Sequence, residues 1–288
     1  MKKQTRSFPM HIQLSDGCLV YANKRGTGLP TLFLHGGPGY WSGSFEQLAG
    51  PILEKTRTMI YLDQRGCGRS QHAPSSTYRY DRLLTDMEEV RRFFGFHKWS
   101  VFGHSFGGLL AFLYALQYPN RVDSLILCNT TLYMAESLTY QLKYGSNLLG
   151  KTVNPPTQTS LLVKHFQDTI IQLREAGNWE RIQFQHTAHA KRLEQADDRP
   201  DNQSDHRFQQ AFLHSDLFAI DYRKRTTEFV KPVLILAGKH DHAIGPHHYQ
   251  RFSFPNQQIA LLDCGHHPYA EDVASFYKDI EQFSSVKL

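Results

Sequence analysis

Short apolar runs alternate with helix-patterned segments over the first 130 residues, and this alternation limits the chain more than any other feature. Thr31 to Leu34, Thr58 to Leu62, Trp99 to Phe102 and Ser124 to Cys128 are too short for buried helices and read as strands. Asp81 to Phe94 places Leu83, Leu84, Met87, Val90, Phe93 and Phe94 at helical spacing. Phe106 to Tyr118 reads as a helix stopped by Pro119. Strands that return through helices pair in parallel, so the pattern predicts an α/β sheet. Met10 to Leu14 and Cys18 to Asn23 flank Ser15-Asp16-Gly17 and predict a hairpin.

The pattern changes after Asn129. From Leu132 to about Thr226 the chain is rich in Gln, His, Asn and Arg, with helical stretches such as Leu161 to Leu173 and no clear strand. Pro232 to Ala237 and Gln258 to Leu262 then read as buried strands, and Ser275 to Phe283 as a closing helix. The expected organisation is a sheet-based core, residues 1–131 and 227–288, interrupted by a helical block at 132–226. There is no internal repeat.

Composition excludes several classes. A chain of 288 residues can bury a large core without disulfides. Its 32 basic and 27 acidic residues leave a charge of +5 with no run of five cations, which argues against nucleic-acid and membrane-surface partners. The longest strongly apolar stretch, Leu109 to Leu116, is too short to span a bilayer. Met1 to Arg6 is basic, but no apolar run follows of the kind a secretory signal needs. The cysteines, Cys18, Cys67, Cys128 and Cys264, are scattered without a CxxC pair. They read as reduced thiols of a cytoplasmic protein.

Gly103-His104-Ser105-Phe106-Gly107-Gly108 joins a predicted strand to a predicted helix. A serine hydroxyl becomes a useful nucleophile when it stands clear of the sheet beside a base. A sharp strand-to-helix turn achieves that but crowds the residues two positions either side, where Gly103 and Gly107 stand. The base must be a histidine whose tautomer a carboxylate fixes. With 16 histidines in the chain, placement decides. Open α/β sheets put their sites beyond the C-terminal ends of strands. His266, after Gly265 and the last predicted strand, is favoured over its neighbour His267. Asp241 is the carboxylate after the preceding strand, whereas Asp263 lies too near His266 on the same loop. As an alternative, Asp241 would cap a short helix starting near Ile244. His35-Gly36-Gly37-Pro38-Gly39 follows an earlier strand, and its backbone can approach a substrate carbonyl. The expected oxyanion donors are the N–H groups of Gly37 and Phe106.

These motifs, with Asp63-Gln64-Arg65-Gly66-Cys67-Gly68-Arg69-Ser70, resemble the α/β-hydrolase fold family and, within it, the proline iminopeptidase branch. The resemblance runs from Thr31 to Glu271, with the helical block unmatched. It implies a mostly parallel eight-stranded sheet with helices on both faces and an inserted helical cap. It implies a serine hydrolase acting on small-molecule or short-peptide substrates, with no metal and no cofactor. Two departures stand out. The branch often has glycine or serine where this chain has His104, and Trp where it has Phe106. Some aminopeptidase relatives also carry an acidic residue where this chain has His242. A carboxylesterase or lactonase therefore stays open beside the aminopeptidase, and a non-enzymatic ligand sensor is a remoter reading. A free substrate amine needs buried carboxylates. Glu136, Glu175, Glu180 and Glu194 are the candidates, with Glu180 and its neighbour Trp179 the first choice for substrate binding.

Other groupings carry less. The histidine pairs 240/242, 247/248, 266/267 and 186/189 lack metal-site spacing. Arg65 and Arg69 with Asp63 read as a structural tie rather than a phosphate site. Of the aromatics Trp179, Phe184, Phe212 and Phe218, core packing is the expected role for most.

Overall fold

A computed structural model describes residues 8–285. The basic stretch Met1 to Arg6 lies outside the described residues. Eight strands, β1 (Phe8–Gln13), β2 (Leu19–Gly26), β3 (Leu29–Leu34), β4 (Arg57–Leu62), β5 (Trp99–His104), β6 (Val122–Cys128), β7 (Val233–Gly238) and β8 (Gln257–Leu262), form one sheet. Their spatial order is β1-β2-β4-β3-β5-β6-β7-β8. The first two pairings are antiparallel, and every pairing from β4 through β3 to β8 is parallel. The hairpin turns at Gly17, whose φ of 84° suits glycine.

Helices α1 (Gly43–Leu53), α2 (Tyr80–Phe93) and α3 (Phe106–Gln117) follow β3, β4 and β5. Between β6 and β7 lie α4 (Met134–Leu148), α5 (Thr159–Glu175), α6 (Glu180–Gln183), α7 (Ala190–Asp197) and α8 (His206–Leu213), with no strand among the described residues. Short α9 (Pro268–Glu271) and α10 (Val273–Ser285) follow β8. Strand alternation divides the core. Leu32, Leu34, Ile60, Leu62, Leu125 and Leu127 face α2 and α3. Phe33, Met59, Tyr61, Phe102 and Ile126 face α1 and α10. Each fully buried side chain of this size contributes roughly 1.5–3 kcal/mol.

Two elements depart from the sequence expectation. Helix α1 has no clear apolar signature, because Gly43, Gly50 and Pro51 dilute it. It forms where Phe45, Ala49 and Leu53 pack on the sheet, Phe45 stacking on Phe33 at 3.7 Å between ring centroids. Strand β8 is not a buried strand. Among the described residues it pairs only with β7, and it leaves Ile259 and Leu261 almost half exposed, at 45% and 49%. An apolar run specifies a strand without specifying whether it ends up central or at an edge.

The Asp63–Ser70 turn ties elements together. Asp63 is fully buried and accepts from the Ser42 N–H and hydroxyl, at 2.8 and 2.6 Å, and from Arg69 Nε at 2.7 Å. Burial raises its carboxyl, but the bonds from Arg69 outweigh this and hold it below the usual carboxylate range. Arg65 clasps Asp86 at 2.6 and 2.7 Å and Asp16 at 2.9 Å. The two arginines are thus committed to structure. The helical block docks on the same turn, with Asp205 N–H on the Gly66 carbonyl at 2.7 Å and Tyr78 donating to Asp205 at 2.8 Å.

Removing one partner of a buried ion pair strands the other. Asp63→Ala is therefore expected to lower stability by about 3–5 kcal/mol, read as a reduced urea midpoint. A loss under about 1 kcal/mol would mean that the turn tolerates an unpaired Arg69.

Candidate active site

Parallel pairing sends the C-terminal ends of β3, β5, β7 and β8 to one edge of the sheet. The loops that leave them carry His35 to Gly39, Ser105, Asp241 and His266.

Ser105 stands between β5 and α3 with φ 56° and ψ −124°. A non-glycine residue here is strained by on the order of 1–3 kcal/mol. Packing around the turn enforces it. A Cβ on Gly103 would lie 2.4 Å from the Gly107 carbonyl oxygen, and one on Gly107 would lie 2.2 Å from that of Leu34. Only glycine fits either place. Phe106 opens α3, where an N–H has no intrahelical acceptor.

His266 and Asp241 meet. The imidazole Nδ1–H donates to both carboxylate oxygens, at 3.1 and 3.0 Å, and both side chains are buried. This fixes the tautomer and leaves Nε2 as the proton acceptor. Asp241 Oδ1 also accepts from the Ala243 and Ile244 N–H groups, at 2.9 and 3.1 Å. Asp241 therefore both organises its own turn and holds the histidine. The rivals lie elsewhere. His267 engages the Tyr269 hydroxyl and Gln183, at 2.9 and 3.0 Å, and exposed Asp263 meets His240 at 3.3 Å.

Asn129 was not legible as part of this arrangement. It directly follows β6, with φ 44°. Its amide donates to the carbonyls of Gly265 and His266, both at 2.9 Å, and accepts from the Gly238 N–H at 2.7 Å. One side chain thus joins the loops of Asp241 and His266. Its place just beyond a parallel strand is the sequence signal that points to it.

The His35 to Gly39 loop comes close to the serine. A Cβ on Gly36 would stand 2.8 Å from Ser105 Cβ, and Gly37 has φ 113°. His35 is a strut, its Nδ1–H donating to the Gly36 carbonyl and its Nε2 accepting from the Gln64 N–H, both at 3.1 Å. Burial lowers its pKa to about 4, so the ring stays neutral. Burial likewise holds His104 and His267 well below the usual imidazole value, helped by the neighbouring His266.

Ser105 and His266 share a cavity of about 460 Å³ with Gly37 and Phe106. Trp179, Glu180 and Glu194 line it, together with Arg174. Glu136 does not. It is bound to Arg223, Arg251 and His248 in a separate cluster. Glu175 is exposed at the end of α5. Phe184 reaches the cavity, whereas Phe212 and Phe218 pack in the core. Sequence reasoning missed Asp197, a lining carboxylate that accepts from the Tyr40 hydroxyl at 2.5 Å and Trp41 Nε1 at 2.6 Å. Burial raises its carboxyl above the ordinary value, and those donors only partly offset this. No spacing motif marks it, since its partners lie 156 and 157 residues away.

The sequence matches the α/β hydrolase fold family over residues 30–273, and the chain belongs to that family. It is 38% identical over 120 residues to a proline iminopeptidase of Neisseria meningitidis serogroup A, covering 41% of this chain and 38% of that protein. The matched stretch is thus less than two-fifths of that relative's length. A proline iminopeptidase of Lactobacillus delbrueckii subsp. bulgaricus is 27% identical over 271 residues, 86% of each chain. In fold, the chain is similar to a proline iminopeptidase-related protein from Thermus thermophilus, with TM-score 0.82 and 20% identity, covering 96% of this chain and 97% of that one. Homology thus supports a hydrolase.

His35, His104 and His267 are neutral when folded and titrate near 6.5 when unfolded. Below that pH the unfolded chain binds more protons, so stability is lost as pH falls from about 6.5 toward 4. The melting temperature is expected to drop over this window, and His267→Gln is expected to flatten the decline. An unchanged slope in the variant would remove His267 from the account.

Proposed function

We propose that the protein is a serine hydrolase that removes the N-terminal residue, proline among the candidates, from short peptides or amino-acid amides. The observation that carries this reading is the make-up of one cavity. It holds Ser105 and the Asp241-bound His266 beside three carboxylates, Glu180, Glu194 and Asp197, against a single guanidinium, Arg174. An ammonium entering a cavity loses its water, and carboxylates offset that loss. Asp197 gains most from such a partner, because burial already disfavours its charge. Similarity to named proline iminopeptidases supports the same direction.

In this reading His266 Nε2 takes the proton of Ser105, whose oxygen attacks the scissile carbonyl. The oxyanion is held by the N–H groups of Gly37 and Phe106. Asp241 stabilises the imidazolium, which then protonates the leaving amine. Water repeats the steps on the acyl-enzyme. Residues 132–226 act as a cap over a core of residues 1–131 and 227–288, with Trp179 and Glu180 facing the substrate. Four buried, unpaired cysteines support a cytoplasmic setting. None of the described helices is long and apolar enough to cross a membrane.

His104 favours a second reading, a carboxylesterase or lactonase, because that residue is frequent before the nucleophile in such relatives. One comparison separates the two. A prolyl anilide is expected to be cleaved with a kcat/KM roughly 10- to 100-fold above its N-acetylated form, the range of a hydrogen-bonded charge. Asp197→Asn is expected to close most of that gap by raising KM. Equal rates for the two anilides, or turnover of esters alone, would defeat the aminopeptidase. Ser105→Ala is expected to cost either activity about 10⁶-fold. A variant that retained the parent's rate would defeat serine catalysis altogether.

A further inference from the structure

The histidine loop is held from two sides by different parts of the chain. On the core side, the His266 carbonyl accepts from His104 Nε2–H and from the Asn129 amide, both at 2.9 Å. On the other side the partners come from the helical block. The His266 N–H donates to the Gln183 carbonyl at 2.7 Å. His267 Nε2–H donates to Gln183 Oε1 at 3.0 Å, and its ring lies 5.1 Å from that of Phe184.

Glu271 completes the join. One oxygen accepts from the Gly265 N–H at 2.9 Å, the other from the N–H groups of Gln185 and His186 at 2.9 and 3.4 Å. A single carboxylate thus spans the loop that carries His266 and the segment after α6. Contact between them is tight. A Cβ on Gly265 would stand 2.6 Å from the Gln183 carbonyl oxygen and 2.8 Å from Phe184 Cα. The glycine before His266 therefore serves this approach as well as its own turn.

We propose that Glu271 and Gln183 are positioning residues for His266, and that seating the Gln183 to His186 segment against its loop sets the imidazole in register with Ser105. The proposal rests on the Ser105–His266–Asp241 reading. Neither residue needs to touch a reacting atom. Gln183 acts through the His266 N–H and the His267 ring, and Glu271 through the N–H of the preceding Gly265, while Asp241 governs the ring itself. The geometry also links binding to chemistry. Trp179, Glu180 and Gln183 share one turn around α6 and all line the cavity. A substrate group pressing on that turn bears on the segment that holds the base. Small displacements matter here, since a misplacement of about 1 Å is enough to cost on the order of 10²-fold in rate.

The test uses Glu271→Gln, which keeps the size but cannot accept on both sides, since its NH₂ must face an N–H donor. The substrate is p-nitrophenyl acetate, too small to depend on the far cavity wall. The expected result is a kcat lower by roughly 10- to 100-fold, with KM within about threefold and the fold intact. The downfield Nδ1–H proton resonance of His266, identified by its loss in Asp241→Ala, is expected to shift or broaden. Gln183→Leu is expected to act in the same direction and carries the test if Glu271→Gln does not fold. Folded variants with kcat within about twofold of the parent and an unchanged Nδ1–H resonance would overturn the proposal. Failure of the aminopeptidase reading shows separately, as a parent that ignores the prolyl anilide. The resonance reports the same loop even in a parent without turnover.

Discussion

Parallel hydrogen bonding between strands governs this molecule. A parallel neighbour must start from the same end as its partner, so the chain returns across a face of the sheet, and helices do this with their backbone groups already paired. Every parallel strand therefore releases its loop at one edge. Ser105, Asp241 and His266 are far apart in the chain, yet each sits one to four residues beyond such a strand. The register does the finer work. His104 pairs with Cys128 and Cys128 with Leu236, so Asn129 emerges between the strand that leads to Ser105 and the strand that leads to Asp241. Its own N–H donates to the Leu236 carbonyl at 2.8 Å, which anchors the side chain to the ladder.

Around that edge the buried polar groups are largely paired with one another, Gln64 Oε1 being an exception. A hydrogen bond nets only about 0.5–1.5 kcal/mol, whereas a buried group left unpaired costs about 1–3 kcal/mol. The arrangement is thus held mainly by the penalty for breaking it. Neutral imidazoles suit such a network, because each offers one donor and one acceptor without the cost of a buried charge. His35 and His267 use both ring nitrogens in this way. Burial keeps them neutral, which ties the integrity of the site to pH. At Asp63 the buried charge is paired with Arg69.

The helical block has a different status from the sheet. A fold of this kind supports many chemistries, and the side chains lining the cavity choose among them. Here the block supplies the lining carboxylates and the guanidinium, and it also touches the backbone of His266. In the proposed reading, selectivity and the placing of the base therefore meet in one short segment after α5. A change in that segment acts on both at once, so its effects on binding and on turnover will not separate cleanly without a substrate that ignores the far wall.

Much of the architecture was legible because its causes are local. Strand and helix periodicity and the glycines flanking Ser105 follow from sterics and spacing within a few residues. Helix α1 escaped because Gly43, Gly50 and Pro51 mask a helix that packing on Phe33 and its neighbours makes stable. The edge position of β8 escaped because an apolar run does not encode which strands flank it. Asp197, Asn129 and Glu271 have partners in remote segments, and no motif announces such pairs. The sequence by itself determined the succession of elements and the turn that presents Ser105, since backbone geometry there depends on adjacent residues. Only the tertiary structure decided which carboxylates face the cavity and which groups grip the histidine loop, because those directions depend on how separately formed helices rotate and settle against the sheet.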